Sequence, residues 1–320
     1  MTQFNKVVIV GLGQLGLPVA KYVKERGFDT YGYDISPKAL EIAEKTAAIK
    51  EAVNFGDFDV FILCISTHKP DDMFSPQIDG LLSAVDKISN NKKDGVLVSI
   101  ESTIPKGTSR KIFELLNHRF HVVHAPHRWY ALEEKEHGIN QSRVIGGVSD
   151  CCLRDGMQFY SGNNINNNGR VEEQGSSSLS SSQSHLPKSL GISMHPVSNI
   201  DTAEITKITE NAHRYLQIAF AEDLYLYCQA NNINFSELRD ALNTKWNINV
   251  LEPREGIGGH CLPKDTKMFL QSSSNGRSSK IVTAAIETDE DYRAFRVKLD
   301  KGISSPIIQD NTTSILKKKY

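Results

Sequence analysis

The chain lacks any apolar run approaching the ~18–20 residues needed to cross a bilayer, which excludes a membrane-spanning protein. Cysteine is scarce, five in 320 residues with no C-x-x-C pair. Neither a disulfide framework nor a zinc knuckle is therefore expected, and the thiols read as reduced ones in a cytoplasmic protein. An excess of one charge is missing as well. Lys+Arg number 37 against Asp+Glu 38, so there is no basic footprint for a nucleic-acid backbone. The amino terminus enters a strand-like pattern with no signal-peptide signature. What remains is a soluble cytoplasmic enzyme, long enough for two domains.

Short apolar runs recur at Lys6–Val10, Thr30–Tyr33, Asp59–Ile65, Gly95–Ile100, His121–Ala125, Arg143–Val148 and Ile192–Val197. Their alternation with helix-like stretches predicts βαβ units and a doubly wound, Rossmann-type parallel sheet over residues 1–200. An Asn/Ser-rich stretch at about 162–190 is too polar to bury a core, so a disordered insertion is expected there. From Thr202 the pattern turns helical: one long helix to Asn231, then Phe235–Asn243, Thr266–Gln271 and Lys280–Arg296. A smaller all-α domain over 201–299 follows, with residues 300–320 expected to fray.

Glycines are spent at two places. The first strand runs into Gly11-Leu12-Gly13-Gln14-Leu15-Gly16 and then a helix pattern. Gly11 permits a tight turn, Gly13 a close backbone approach to a pyrophosphate, and Gly16 helix–strand contact, while the helix N-terminus favours the negative charge. Asp34 closes the second strand, placed to accept the ribose hydroxyls. No arginine follows it, which favours NAD over NADP. The second place is Gly256-Ile257-Gly258-Gly259-His260-Cys261-Leu262-Pro263-Lys264-Asp265. A thiol just before a helix opened by Pro263, with Lys264 beside it, suits a thiolate nucleophile. Lys207 and Asn211, four apart on the long helix, share a face and suit an oxyanion. Glu101–Gly107 lies at the carboxyl end of a strand, where open α/β sheets place ligands.

Together these motifs resemble the nucleotide-sugar dehydrogenases, the UDP-glucose and UDP-N-acetylmannosamine 6-dehydrogenase family. The resemblance rests on Gly11–Gly16, Glu101–Gly107, Ala203–Asn211 and Gly258–Asp265. It implies oxidation of a UDP-sugar C6 alcohol to a carboxylate with two NAD⁺, through a thiohemiacetal and thioester on Cys261. It further implies that Lys207 and Asn211 steady the oxyanion, that Asp265 with Thr103 orients the water or accepts a proton, and that Lys264, Gly258 and Gly259 seat the substrate. Thr67 and Thr103 match cofactor-side threonines, next to Gly11, Gly13, Gln14, Leu15, Gly16 and Asp34. Where the family usually places a glutamate, Pro126 is followed by His127, which would serve as the base. Arg128 and His260 lean toward the N-acetylmannosamine branch. Family members usually continue into a UDP-gripping domain, and no second glycine-rich unit follows here. The expectation is a homodimer that meets a UDP-sugar and a separate chain supplying that grip. A two-electron hydroxyacid dehydrogenase of the 6-phosphogluconate type, and a non-catalytic NAD- or nucleotide-sugar-binding relative, are the alternatives.

Overall fold

A computed structural model describes residues 3–68, 75–91, 93–129, 137–163, 188–259, 261–273 and 279–301. Most of the expected insertion, the tail beyond Lys301 and His260 lie outside the described residues. The chain divides into two compact units, with the boundary between Ile208 and Thr209.

The first unit is built on β1 (Lys6–Val10), α1 (Gly16–Glu25), β2 (Asp29–Tyr33), α2 (Pro37–Ala47), β3 (Lys50–Glu51), β4 (Val60–Leu63) and α3 (Asp79–Ser89). It continues through β5 (Leu97–Ile100), α4 (Thr108–Leu115), β6 (His121–His124), β7 (Arg143–Gly147), α5 (Asp150–Ser161) and β8 (Met194–Val197). The strands form one sheet in the order β3-β2-β1-β4-β5-β6-β7-β8. Alternation along each strand feeds two cores. Val7 and Ile9 of β1 pack with Val19, Ala20 and Val23 of α1 and Met157 of α5 on one face. Val8 and Val10 face the other way, onto Leu81, Val85 and Ile88 of α3 and Ile112 of α4. Both faces are covered, as a doubly wound sheet requires.

The all-parallel expectation needs one correction. β7 runs antiparallel to β6, with Val123 opposite Gly147, while β8 is parallel to β7. The apolar run Arg143–Val148 has the same pattern in either direction, so nothing local reveals the reversal. β3 was not expected either: two exposed charged residues carry no strand signal, and pairing with β2 alone defines it.

Among the described residues four helices follow: α6 (Ile200–Ala230), which crosses the unit boundary, α7 (Phe235–Asn243), α8 (Cys261–Gln271) and α9 (Lys280–Asp300). In the second unit Tyr215 and Ala219 of α6 pack with Ile257 and Ala285 of α9 in a small core. Asp289 ties it together, accepting the Tyr215 hydroxyl at 3.0 Å and the Ile257 amide at 2.8 Å. No helix among the described residues is long and apolar enough to cross a membrane.

Candidate active site

The glycine loop follows β1 directly. Gly11 adopts a φ of +94°, and its amide donates to the Tyr33 carbonyl at 2.8 Å. A Cβ on Gly11 would lie 2.7 Å from the Cys64 carbonyl oxygen, and one on Gly16 would lie 1.7 Å from the Gly11 oxygen. Both positions are therefore closed to any side chain. Gly13 is different: a Cβ there meets nothing within 4 Å. Its openness has no packing reason, and open space over a loop that enters a helix is where a pyrophosphate is held. Leu15 stands at the N-cap of α1 and supplies no side-chain cap; Gln14 beside it is exposed. Asp34 accepts the Leu12 amide at 2.7 Å on one oxygen and the Ser36 amide at 2.8 Å on the other. The carboxylate thus locks the loop to the end of β2, and each oxygen keeps a second lone pair for a hydroxyl. These residues fit a dinucleotide.

The neighbouring strands bring Thr67 and Thr103 together. The Thr67 hydroxyl donates to the Thr103 carbonyl at 2.7 Å, beyond the carboxyl ends of β4 and β5. Further along this segment Glu204, fully buried on α6, accepts the amides of Gly107 and Ser109 and so closes the start of α4. Lys207, one turn on, is half-buried.

Beneath this edge lies a buried charged cluster. Glu101, just after β5, accepts from His127 Nε2 and from the Tyr160 hydroxyl, and pairs with Arg143 Nη1 at 3.1 Å. Arg143 also donates to the Ile139 carbonyl at 3.0 Å, and its Nη1 lies 3.2 Å from His127 Nε2. Ser99 meets the Tyr160 hydroxyl at 2.6 Å, and the Cys64 thiol points at Glu101. Glu101 and Arg143 are each 1% exposed and His127 7%. Burial pushes the Glu101 carboxyl up, but the facing His127 and Arg143 bring it down to about 2. Burial, then the Arg143 charge, lowers His127 below its ordinary value. The histidine is thus neutral at pH 7, with Nε2–H committed to Glu101 and Nδ1 carrying the lone pair. The same burial raises the Tyr160 and Cys64 groups well above their usual range. Glu101 and Glu204 lie within motifs visible in the sequence; Arg143 and Tyr160 do not stand out. The available signal was an arginine opening an otherwise apolar strand, a costly place for an unpaired charge.

In the second unit the structure joins three of the expected residues. Asn211 donates its amide to Asp265 Oδ2, and Lys264 Nζ lies 3.1 Å from Asp265 Oδ1. Asp265 and Lys264 are 1% and 4% exposed. Cys261 is exposed at the first residue of α8. Here the sequence reading is corrected: the helix begins at the cysteine, and Pro263 is its third residue rather than its first. A proline fits there because first-turn amides have no intrahelical acceptor. Gly258 and Gly259 are exposed, Gly259 at φ +74°, with no atom within 4 Å of either virtual Cβ.

Comparison with known proteins follows the same segments. Residues 42–163 match the NAD binding domain, and residues 201–291 the central domain, of one family. The chain belongs to the UDP-glucose/GDP-mannose dehydrogenase family. Within it, the chain is 28% identical over 313 residues to a UDP-N-acetyl-D-mannosamine dehydrogenase of Methanococcus maripaludis, covering 91% of this chain and 66% of the relative. The corresponding Escherichia coli K12 enzyme is 26% identical, with 92% and 71% covered. The solved UDP-D-ManNAc dehydrogenase of Pyrococcus horikoshii superposes with a TM-score of 0.74 at 26% identity, covering 92% of this chain and 70% of that one. This chain therefore spans about two thirds of the length of these UDP-glucose/GDP-mannose dehydrogenase relatives.

Proposed function

We propose that this protein oxidises the C6 alcohol of a UDP-sugar, UDP-N-acetylmannosamine first among them, to the uronate. The observation that carries the reading is the second-unit set: an exposed thiol opening α8, with Lys264 and Asp265 buried in the same helix and the half-buried Asn211 of α6 donating to Asp265. A four-electron oxidation needs a nucleophile that holds the aldehyde, because a thiohemiacetal can lose hydride as the alcohol did. A two-electron dehydrogenase has no use for that thiol. A nicotinamide dinucleotide held at Gly11, Gly13, Gln14, Leu15, Gly16, Asp34, Thr67 and Thr103 would accept the hydride.

In this reading Cys261 adds to the aldehyde, and Lys207 with the Asn211 carboxamide steadies the oxyanion. Asp265 fixes the Asn211 amide through their hydrogen bond and, with Thr103, orients water for thioester cleavage. His127, neutral and held by Glu101, takes the proton of that water on Nδ1, the task a carboxylate has in relatives. Lys264, Gly258 and Gly259 seat the sugar. The N-acetylmannosamine choice is supported by the names of the relatives and by Arg128. A homodimer and a cytoplasmic setting belong to the same proposal.

The test supplies NAD⁺ and a panel of UDP-sugars to the wild type and to Cys261→Ala. Two NADH per uronate are expected from the wild type. The variant is expected to yield no uronate by mass spectrometry while binding NAD⁺ normally in calorimetry. Undiminished uronate formation by Cys261→Ala would send the reaction to the two-electron class.

A further inference from the structure

Away from the dinucleotide edge, β7's reversal creates a second convergence of reactive side chains. The β6–β7 register, continued by the Val148 amide donating to the Val122 carbonyl, sets Ser149 opposite His121. The first turn of α5 therefore lands at the amino end of β6, the opposite edge of the sheet from the glycine loop. Cys151 and Cys152 lie in that turn, and Asp155 follows one turn later on the same helix. The Ser149 hydroxyl lies 3.1 Å from the Cys151 sulfur and 3.0 Å from the Cys152 sulfur. One ring nitrogen of His121 and the two sulfurs all fall within 4.8 Å of one another. Asp155 Oδ2 lies 3.1 Å from His121 Nε2.

We propose that His121, Cys151 and Cys152 bind a zinc-class divalent cation, with Asp155 orienting the imidazole and solvent completing the tetrahedron. Two thiolates and an imidazole are the donor set of a borderline-soft ion, not of magnesium or calcium. Zn–S bonds of about 2.3 Å and Zn–N bonds of about 2.0 Å put tetrahedral ligand atoms roughly 3.4–3.8 Å apart. The present atoms, all within 4.8 Å of one another, close to that range as the ion enters. The Asp155 carboxylate receives one ring N–H of His121 and leaves the other nitrogen's lone pair for the ion, the usual outer partner of a metal-bound histidine. Ser149 can keep donating to a sulfur once its thiol has ionised. Each bound ion displaces the thiol protons to solvent, so the charge brought in is balanced by the protons released. Cys151 is exposed, which gives the ion its entry path, and Cys152 is 1% exposed, which anchors the site in the fold.

The experiment titrates cobalt(II), a coloured stand-in for zinc, into the anaerobic reduced protein. One cobalt per chain is expected, with sulfur-to-cobalt charge-transfer absorption that added zinc bleaches. Cys151→Ser and His121→Asn should each weaken cobalt binding at least tenfold, whereas Cys261→Ala should leave it unchanged. Cys151→Ser alters an exposed side chain, so its fold is expected to stand even if His121→Asn misfolds. Absence of charge-transfer absorption, or a band that survives Cys151→Ser and vanishes in Cys261→Ala, overturns the proposal.

Discussion

Replacing Arg143 with methionine tests whether the buried cluster stands as described. The guanidinium is 1% exposed and faces a Glu101 carboxylate with no exposed side-chain surface, 3.1 Å away. Methionine fills similar volume but leaves that carboxylate to His127 and Tyr160 alone. Breaking one side of a buried ion pair costs about 3–5 kcal/mol, and the Ile139 carbonyl loses its donor for roughly 1 kcal/mol more. At pH 8 the variant should therefore be about 4–6 kcal/mol less stable. The loss should shrink on acidification, and the sign follows from His127. In the wild type, burial and Arg143 hold its pKa below the ordinary 6.5. As pH falls through 6.5 the unfolded chain takes up a proton that the folded chain refuses, so the wild type loses stability. Without Arg143, His127 next to a carboxylate gains a partner and protonates in the folded state. That contribution is fully present below the unfolded pKa and lost as pH rises through the folded one. The gap should close by about 1–2 kcal/mol between pH 8 and pH 6. Urea unfolding read from Trp129 would measure it, in a background where Trp246, 92% exposed, is changed to phenylalanine. A gap below about 1 kcal/mol at pH 8, or one unmoved by pH, would show that Glu101 and Arg143 are not paired in the dark of the core.

The glycine loop offers a paired test. Gly16→Ala forces a methyl to 1.7 Å from a backbone oxygen and should cost about 3 kcal/mol or more by thermal denaturation. Gly13→Ala meets no atom and should melt with the wild type, yet bind NAD⁺ at least ~10-fold more weakly by calorimetry. Equal NAD⁺ affinity in that variant would remove the cofactor from the loop. His124, fully buried with its pKa lowered to about 3 by burial, is a second acid-sensitive point. Its stability contribution holds above pH 6.5 and drains below it, by about 2 kcal/mol from pH 6.5 to 5. His124→Leu should flatten the denaturation-versus-pH curve by that amount, and an unchanged slope would place the proton elsewhere.

Periodicity alone located most of the fold. Lys6–Val10 and Phe235–Asn243 begin and end as their apolar spacing predicts, because burial on both faces or along one stripe leaves a local trace. Direction leaves none, which is why β7's reversal needed the assembled sheet. The site divides the same way. Gly16, Asp34 and the Gly11 amide are bound by contacts within one βαβ unit, so their spacing is informative, although the Cys64 carbonyl that closes Gly11 to a side chain comes from β4. The Thr67–Thr103 bond and the meeting of Glu101, Arg143 and Tyr160 depend on which strands become neighbours. A single residue in a row cannot announce that. Pro263 shows a third limit: it tolerates several first-turn positions, so it marks a helix start without fixing it.

The placement of β1 has a consequence for how the chain must be made. Its two flanks are taken by β2 and by β4, with Val7 opposite both Thr30 and Val60. During synthesis Lys6–Val10 leaves the ribosome before both of its partners, and its second flank stays open until Val60–Leu63 has emerged. In that interval a short, apolar, β-prone segment presents unpaired amides and carbonyls to any other nascent chain, the hallmark of an aggregation-prone edge. Holdase chaperones, slow translation through the α2–β4 stretch, or low expression temperature would all act on that window. Fragments that end before Leu63 should be the least soluble pieces of this protein, although they contain the buried strand Lys6–Val10.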